Sequence, residues 1–158
     1  NNYFGGLFHD LPEVLTRDIV SPVKNSVEGI EELIKEIESR QVEERIFPLV
    51  PASWRRELRY YIEDEFRSKI INDGEIEVVS SEEISEKYNS DEFSPLDGEI
   101  IRACDHLAAY IEAYLSMSHG ITSHHLKEGH KSLYSRYRNK SIAGIDFCIL
   151  FDYFKLDG

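Results

Sequence analysis

Apolar residues recur along this chain with the three-to-four-residue spacing that is typical of amphipathic helices. The clearest case runs from about Ser26 to Phe47, where the apolar stripe consists of Ile30, Leu33, Ile34, Ile37, Val42 and Ile46. Acidic residues occupy the positions between them and form the solvated face. Similar patterns predict further helices over residues 54–71, 96–118, 123–138 and 145–156. Ser53 is the expected N-terminal cap of the helix over 54–71.

Turn-forming residues separate these helices. Pro48 and Pro51 interrupt the chain after the first long helix, and Asn72-Asp73-Gly74 is a turn signal. Residues 75–94 are polar and mixed, with a short β-like run at 76–79 and a short helix predicted over 81–88. We interpret this segment as an insertion or loop excursion. No longer strand alternation occurs, so the sequence predicts an all-α fold in a single domain over residues 1–158.

One acidic residue lies inside an apolar helix. The predicted helix over 96–118 carries Asp105 beside an apolar surface made of Ile100, Ile101, Cys104, Leu107, Ala108, Ile111 and Leu115. A carboxylate among apolar neighbours is costly unless it is paired or bound to a metal ion. Asp105 is therefore a candidate ligand, whereas Cys104 and Cys148 are expected to be reduced and buried.

Composition and charge exclude several classes of function. The chain has 158 residues, of which 41% are hydrophobic, which is enough for a sizeable core. Thirty acidic and 18 basic residues give a net charge of −12, which argues against nucleic-acid binding. No signal peptide or membrane-length apolar run occurs, so we expect a cytoplasmic protein without a membrane partner. The oligomeric state stays open, and a homo-oligomer is one alternative.

The candidate chemistry is concentrated near the start of the chain. His9 and Asp10 are adjacent, and imidazole and carboxylate groups can ligate the same divalent cation if the backbone turns suitably. Glu13 follows three residues after Asp10, which on a helix brings it back to the same face. This pattern favours a metal-activated water with a nearby proton donor or acceptor.

The stretch His9-Asp10, Glu13-Val14-Leu15-Thr16, Asp18 and Pro22-Val23-Lys24, together with the distant Asp105, resembles the HD-domain phosphohydrolases. Within them it most resembles the bacterial 5′-deoxynucleotidases. The resemblance implies an HD-domain helical bundle whose signature is His, then His-Asp, then Asp. Because no residue before His9 matches the first His, that ligand is expected upstream of Asn1, and the domain is expected to be truncated at its N-terminus.

The resemblance also implies a role for each matching residue. His9, Asp10 and Asp105 would ligate one divalent cation (Co, Mn, Mg, Zn or Fe), and Glu13 would be the acid/base residue. The residues that would contact the nucleoside are Asp18, Ile19, Val20 and Ser21. The implied reaction is removal of phosphate from a (deoxy)nucleoside 5′-monophosphate, a small-molecule substrate.

Two alternatives remain at this point. The chain could be a catalytically idle HD-fold regulatory or protein-binding module, or a nucleoside-triphosphate hydrolase of the same superfamily. A separate metal cluster of His119, His124, His125 and His130 is disfavoured, since these spacings do not place the rings on one helical face.

Overall fold

Helices make up nearly all of the regular structure in the computed structural model, which describes residues 1–16 and 29–155. The chain divides into two compact units, one formed by Tyr3–Glu65 and the other by Asn1–Asn2 together with Phe66–Gly158. Only two small strand pairs interrupt the helices of the described residues, so the predicted all-α fold is confirmed. A single domain over the whole chain stays a prediction.

The N-terminal unit consists of helices joined by short turns. Its helices are α1 (Asn2–Phe8), α2 (Glu13–Thr16), α3 (Ile30–Gln41) and α4 (Ala52–Ile62). A π-helical turn (Val42–Ile46) and a 3-10 turn (Phe47–Leu49) continue directly from α3. The buried residues Val42, Phe47 and Ile62 form the core, against which Phe8, Leu11, Ile46 and Leu58 pack. Of the predicted apolar stripe, Val42 and Ile46 belong to this core and Ile34 is also buried, whereas Leu33 is exposed.

Helix α4 ends nine residues before the predicted end at Ile71, so that boundary is wrong. Its C-terminal cap, Glu63, is extended, with φ −86° and ψ 130°. The β-branched residues Ile70 and Ile71 belong instead to a strand, where branching at Cβ is well tolerated. The predicted cap is also wrong, because Pro51 occupies that position and no side chain caps the helix.

The C-terminal unit begins with a β-hairpin. Strand β1 (Lys69–Asn72) pairs antiparallel with β2 (Glu75–Val78), in a register that sets Asn72 opposite Glu75. Asp73 and Gly74 form the turn with φ values of 50° and 86°, as a two-residue hairpin requires. The predicted turn and β-like run are therefore real. Ser81–Glu83 (α5) and a π-helical turn at Ile84–Tyr88 follow, where the short helix was predicted.

The longest helix, α6, comprises Gly98–Ser118 and is capped by Asp97. It therefore begins two residues after the predicted start at residue 96. Its first residue has to be glycine, since a Cβ on Gly98 would lie 2.3 Å from the backbone carbonyl carbon of Phe66. Helix α7 (His124–Tyr137) begins after Ser123. A second hairpin follows, formed by β3 (Ser141–Ile142) and β4 (Ile145–Asp146). The last helix, α8 (Phe147–Tyr153), begins directly after it. The last helix is thus shorter than the predicted 145–156.

Aromatic side chains from α6, α7 and α8 form the core of the C-terminal unit. Its buried members are Ala103, Tyr110, Tyr137, Ile142, Phe147 and Phe151. The face of α6 that meets them was only partly predicted, because Leu115 is exposed and Tyr110 is fully buried. Tyrosine can be buried with its ring stacked, as Tyr110 is on His130 at 4.0 Å between centroids, whereas the sequence pattern counted only aliphatic residues.

The two cysteines are not buried, which corrects the sequence interpretation. Cys104 is exposed and Cys148 is intermediate, and both are free thiols. An apolar helical context in the sequence therefore did not decide their burial. None of the described helices combines the length and the apolar character needed to cross a bilayer.

Candidate functional site

His9 is fixed by the end of helix α1. Its backbone N–H donates to the carbonyl oxygen of Gly5 at 2.9 Å, which completes the last helical turn. Its ring Nδ1 lies 2.9 Å from the carbonyl oxygen of Gly6. A carbonyl only accepts hydrogen bonds, so Nδ1 carries the proton and the ring orientation is set by the main chain. The local helix geometry therefore determines both the tautomer and the direction of this imidazole.

The other ring nitrogen faces Asp10. His9 Nε2 lies 3.2 Å from Asp10 Oδ1, with the histidine side chain 13% exposed and the aspartate side chain 66% exposed. The imidazole nitrogen itself is buried, whereas the Asp10 carboxylate beside it is largely exposed. A histidine that donates one ring N–H to a backbone carbonyl is typical of metal-ligating imidazoles.

The separation of these two donors suits a shared divalent ion. With metal–ligand distances of about 2.1 Å, a 3.2 Å separation corresponds to an angle of about 100° at the ion. That angle lies between the octahedral and tetrahedral values. The pair therefore fits two adjacent positions of a coordination shell, and the same separation also suits an imidazolium–carboxylate ion pair.

Glu13 begins helix α2 directly after this pair. Its N–H donates to the carbonyl oxygen of Asp10 at 3.0 Å, so the two residues are joined by one turn of backbone. The Glu13 side chain is partly buried. Helix α2 is held to α3 by the Thr16 hydroxyl, which donates to Glu38 Oε1 at 3.1 Å. Asp10 lies in a turn before this helix, so the two residues do not share a helix, and the common face predicted for their carboxylates stays a prediction.

Asp105 lies in the C-terminal unit, in the second turn of α6, and is partly buried. Its negative charge raises the pKa of the neighbouring His106, against the lowering caused by burial and by nearby cations. Asp18, Ile19, Val20 and Ser21 lie outside the described residues. In the part of the chain that the structure describes, no group of three or more His, Cys, Asp or Glu is placed to hold a metal ion. The ligand set drawn from the sequence stays a prediction.

Sequence reasoning missed the pairing of His106 with Tyr137. His106 Nδ1 lies 2.8 Å from the Tyr137 hydroxyl, and the two rings meet edge to face at 5.7 Å. Burial is the main cause that lowers the pKa of His106, followed by the charge of Arg136. The adjacent Asp105-His106 dipeptide was the only signal in the sequence, because a separation of 31 residues leaves no local pattern.

Comparisons with known proteins agree with this structure. The sequence profile of the HD domain family matches residues 2–134, which include α1, α6 and most of α7. No curated protein and no solved structure matches the chain at a significant level. HD domains are generally metal-dependent hydrolases of the phosphohydrolase superfamily. On the extent of this match, which covers most of the chain, the protein belongs to the HD domain family.

Proposed function

We propose that this protein is a metal-dependent phosphohydrolase that removes phosphate from a (deoxy)nucleoside 5′-monophosphate. The observation that carries the proposal is the His9–Asp10 pair. Its donor atoms lie 3.2 Å apart, and the ring is held by the Gly6 carbonyl. Family membership supports the hydrolytic reaction, and the resemblance of residues 9–24 to the 5′-deoxynucleotidases supports the substrate class.

Three residues of this chain would hold the ion: His9, Asp10 and Asp105. A nitrogen donor with two carboxylates suits Co, Mn, Zn or Fe and also accepts Mg. When bound, such an ion lowers the pKa of a coordinated water and offsets negative charge on phosphoryl oxygens. The protein's own contribution is to orient the imidazole through Gly6 and to keep Asp10 beside it.

Glu13 is the acid/base residue of the proposed reaction. Hydrolysis forms a bond between water oxygen and phosphorus and breaks the bond between phosphorus and the 5′ oxygen. The water therefore loses a proton, and the 5′ oxygen gains one. The Glu13 carboxylate accepts the first proton and returns it to the leaving oxygen, which a side chain one turn from the ligand pair and partly shielded from water is suited to do.

The nucleoside contacts are assigned to the segment from Asp18 to Ser21. Asp18 would accept a hydrogen bond from a sugar hydroxyl, and Ile19, Val20 and Ser21 would limit space near the 2′ position. Val20 stands where the 5′-deoxynucleotidases that this stretch resembles tend to have proline. Because valine fixes φ less tightly than proline does, we expect only a weak preference for deoxyribose.

The charge of the protein supports a small substrate. A net charge of −12 repels polyanions such as RNA and DNA at long range, whereas a mononucleotide carries little charge. A cation at the site would reverse the local field.

The test is phosphate release from purified protein that has been freed of metal and reloaded with one ion at a time. The proposal predicts orthophosphate and a nucleoside from 5′-monophosphates, in the loaded protein alone. Matched ribo- and deoxyribonucleotides measure sugar preference through kcat/KM. Release of pyrophosphate or triphosphate from nucleoside triphosphates would identify the triphosphate hydrolase instead, and no release from either class with any ion would overturn the enzymatic proposal.

A catalytically idle HD-fold module is the second candidate. The observation that favours it is that the described residues contain no complete group of three metal-binding side chains. Such a module would bind no stoichiometric ion after exposure to each metal and removal of excess. Metal content measured by mass spectrometry on the washed protein separates it from the enzyme.

A further inference from the structure

Helix α2 carries the proposed acid/base residue, yet it has little burial of its own to hold it in place. It comprises only the four residues Glu13–Thr16, none of which is buried. Val14, in the middle of α2, is 70% exposed. A single helical turn is not stable by itself, because most helical stability in proteins comes from packing of an apolar face. The orientation of α2 therefore depends on the contacts at its two ends.

The N-terminal end of α2 is joined to the core of the N-terminal unit. Leu11 packs against that core, and its carbonyl oxygen accepts from the Val14 N–H at 3.3 Å. The Glu13 N–H donates to the carbonyl oxygen of Asp10 at 3.0 Å. These two backbone hydrogen bonds fix where α2 begins. Because both lie at the same end of the turn, a contact at the other end is needed to fix the direction of its side chains.

A side chain of α3 supplies the contact at the C-terminal end of α2. The Thr16 hydroxyl donates to Glu38 Oε1 at 3.1 Å, which joins residues 22 positions apart in a partly buried hydrogen bond. Glu38 itself is partly buried, whereas Glu36 on the same helix is exposed. Glu38 is therefore not simply a member of the solvated face that the sequence predicts for this helix.

Thr16 and Glu13 are three residues apart, so they are neighbours on one face of the turn. The hydrogen bond that directs Thr16 toward Glu38 consequently also sets the direction of the Glu13 side chain. Glu13 is partly buried, which agrees with a side chain directed along the protein rather than into solvent. A reacting group has to be placed accurately, because a displacement of about 1 Å can lower the rate by about a hundredfold.

We propose that Glu38 is a positioning residue for Glu13. The Glu38 carboxylate accepts the hydrogen bond from Thr16 and thereby holds α2 in the orientation that proton transfer by Glu13 requires. Glu38 acts through α2 and does not itself contact the reacting atoms. The role of Glu38 in turnover rests on the proposed function, whereas its hold on α2 rests on the hydrogen bond to Thr16.

Amide hydrogen exchange tests the hold of Glu38 on α2 without any reaction. The N–H groups of Glu13 and Val14 are followed in the full chain after metal has been removed with a chelator. In Glu38→Ala both should exchange about tenfold faster or more, because α2 loses a hydrogen bond to a charged group. Glu38→Gln keeps a carbonyl oxygen as the acceptor and should exchange nearly as the parent does. Unchanged exchange in Glu38→Ala would overturn the proposal.

Steady-state kinetics on the metal-loaded protein test the effect on Glu13. Glu38→Ala and Thr16→Val should each lower kcat by about tenfold to a hundredfold, with KM and metal content nearly unchanged. The double variant should be no slower than either single variant, because both changes remove the same hydrogen bond. Glu38→Gln should retain most of the parent kcat. Normal kcat in Glu38→Ala, or losses that add in the double variant, would overturn the positioning role.

Two control variants separate positioning from charge and from stability. Glu36→Ala removes the same charge from an exposed position of α3 and should behave as the parent does. Tyr61→Phe removes a hydroxyl–carboxylate hydrogen bond of the same 3.1 Å length, to Glu57 within α4, so it measures lost stability alone. Equal loss of kcat in Tyr61→Phe and Thr16→Val would overturn the positioning role. Faster exchange in Glu38→Ala without any hydrolysis by the loaded parent would refute the proposed function while supporting the hold on α2.

Discussion

Two aspartates, one in each unit, show opposite ways of using a carboxylate. Asp10 is 66% exposed and faces His9 across 3.2 Å. Asp97 is 2% exposed and accepts from the hydroxyls of Ser68 and Ser81 and from the N–H groups of Glu99 and Ile100. The exposed Asp10 carboxylate can therefore still accept bonds from a ligand or solvent. The buried Asp97 carboxylate already accepts four hydrogen bonds from the protein.

This difference in exposure and bonding distinguishes a carboxylate that can bind a metal ion from one that stabilises the fold. A ligand must keep lone pairs directed toward solvent, where an ion can arrive, so few protein donors can engage it. A buried carboxylate must instead have every oxygen satisfied, because an unsatisfied buried charge is costly. We therefore expect changes at Asp10 to act on metal and turnover, and changes at Asp97 to act on folding. The following predictions test this contrast.

The largest effect is expected at Asp10. Asp10→Ala removes one charged donor from the proposed site, which His9 cannot replace, so metal binding and turnover should be abolished. Its free energy of unfolding should change by about 0.5 kcal/mol or less, because the side chain is exposed. Metal content and thermal melts measure the two quantities. Full metal occupancy in the variant would mean that His9 and Asp10 form only an ion pair. Asp105→Ala should likewise lose metal.

Glu13 should affect turnover without affecting metal. Glu13→Ala is expected to lower kcat by roughly 10²–10⁴-fold, the range for a general acid/base, with metal content unchanged. Glu13→Gln keeps the shape but cannot carry the proton, so it should be as slow. Steady-state kinetics on the loaded protein give the answer. If either variant kept near-normal kcat, the proton transfer would belong to another group.

Asp97 should affect folding without removing the ligand pair. Asp97→Ala uncaps α6 and leaves two buried hydroxyls without their acceptor, so the free energy of unfolding should fall by about 3 kcal/mol. The matched control is Asp146→Ala, which removes the exposed cap of α8 and should cost only about 1 kcal/mol. Urea denaturation compares them. Similar losses would show that the serine contacts of Asp97 contribute nothing beyond capping.

The smallest effect concerns pH and His130. Burial, the larger cause, lowers the pKa of His130, and its hydrogen bond to the Phe154 carbonyl raises it only in part. The folded protein therefore binds this proton less readily than the unfolded chain, whose histidines titrate near pH 6.5. Because the unfolded chain takes up the proton more readily, the free energy of unfolding decreases as pH falls below that value. Above that pH, His130 is neutral in both states and causes no such loss.

His130→Phe keeps a ring stacked on Tyr110 but cannot titrate. Its melting temperature should fall less than that of the parent between about pH 7.5 and about pH 5. His125→Gln changes an exposed histidine and serves as the control, which should follow the parent. Parallel pH profiles for the parent and His130→Phe would show that His130 does not couple folding to pH.

Much of the fold could be predicted because it depends on neighbours in sequence. The apolar stripe of residues 30–46 predicted α3 and the buried Ile34 and Val42, and Asn72-Asp73-Gly74 predicted a hairpin turn whose positive φ values Asp and Gly tolerate. The His9–Asp10 pair is also a feature that depends only on neighbours in sequence. Adjacent residues at a helix end need only the local turn to bring their side chains together, and the Gly6 carbonyl is supplied by that turn.

Tertiary structure decided the features that join distant residues. Ser68 meets Asp97 across 29 residues, and His106 meets Tyr137 across 31. Which face of α6 is buried also depended on the aromatic residues of α7 and α8, so Cys104 is exposed despite its apolar neighbours. Helix and turn propensities act over a few residues, whereas these contacts form only when separate helices pack. The sequence by itself therefore determined most of the helices and the His9–Asp10 pair, and packing determined the Asp97 contacts and the pairing of His106 with Tyr137.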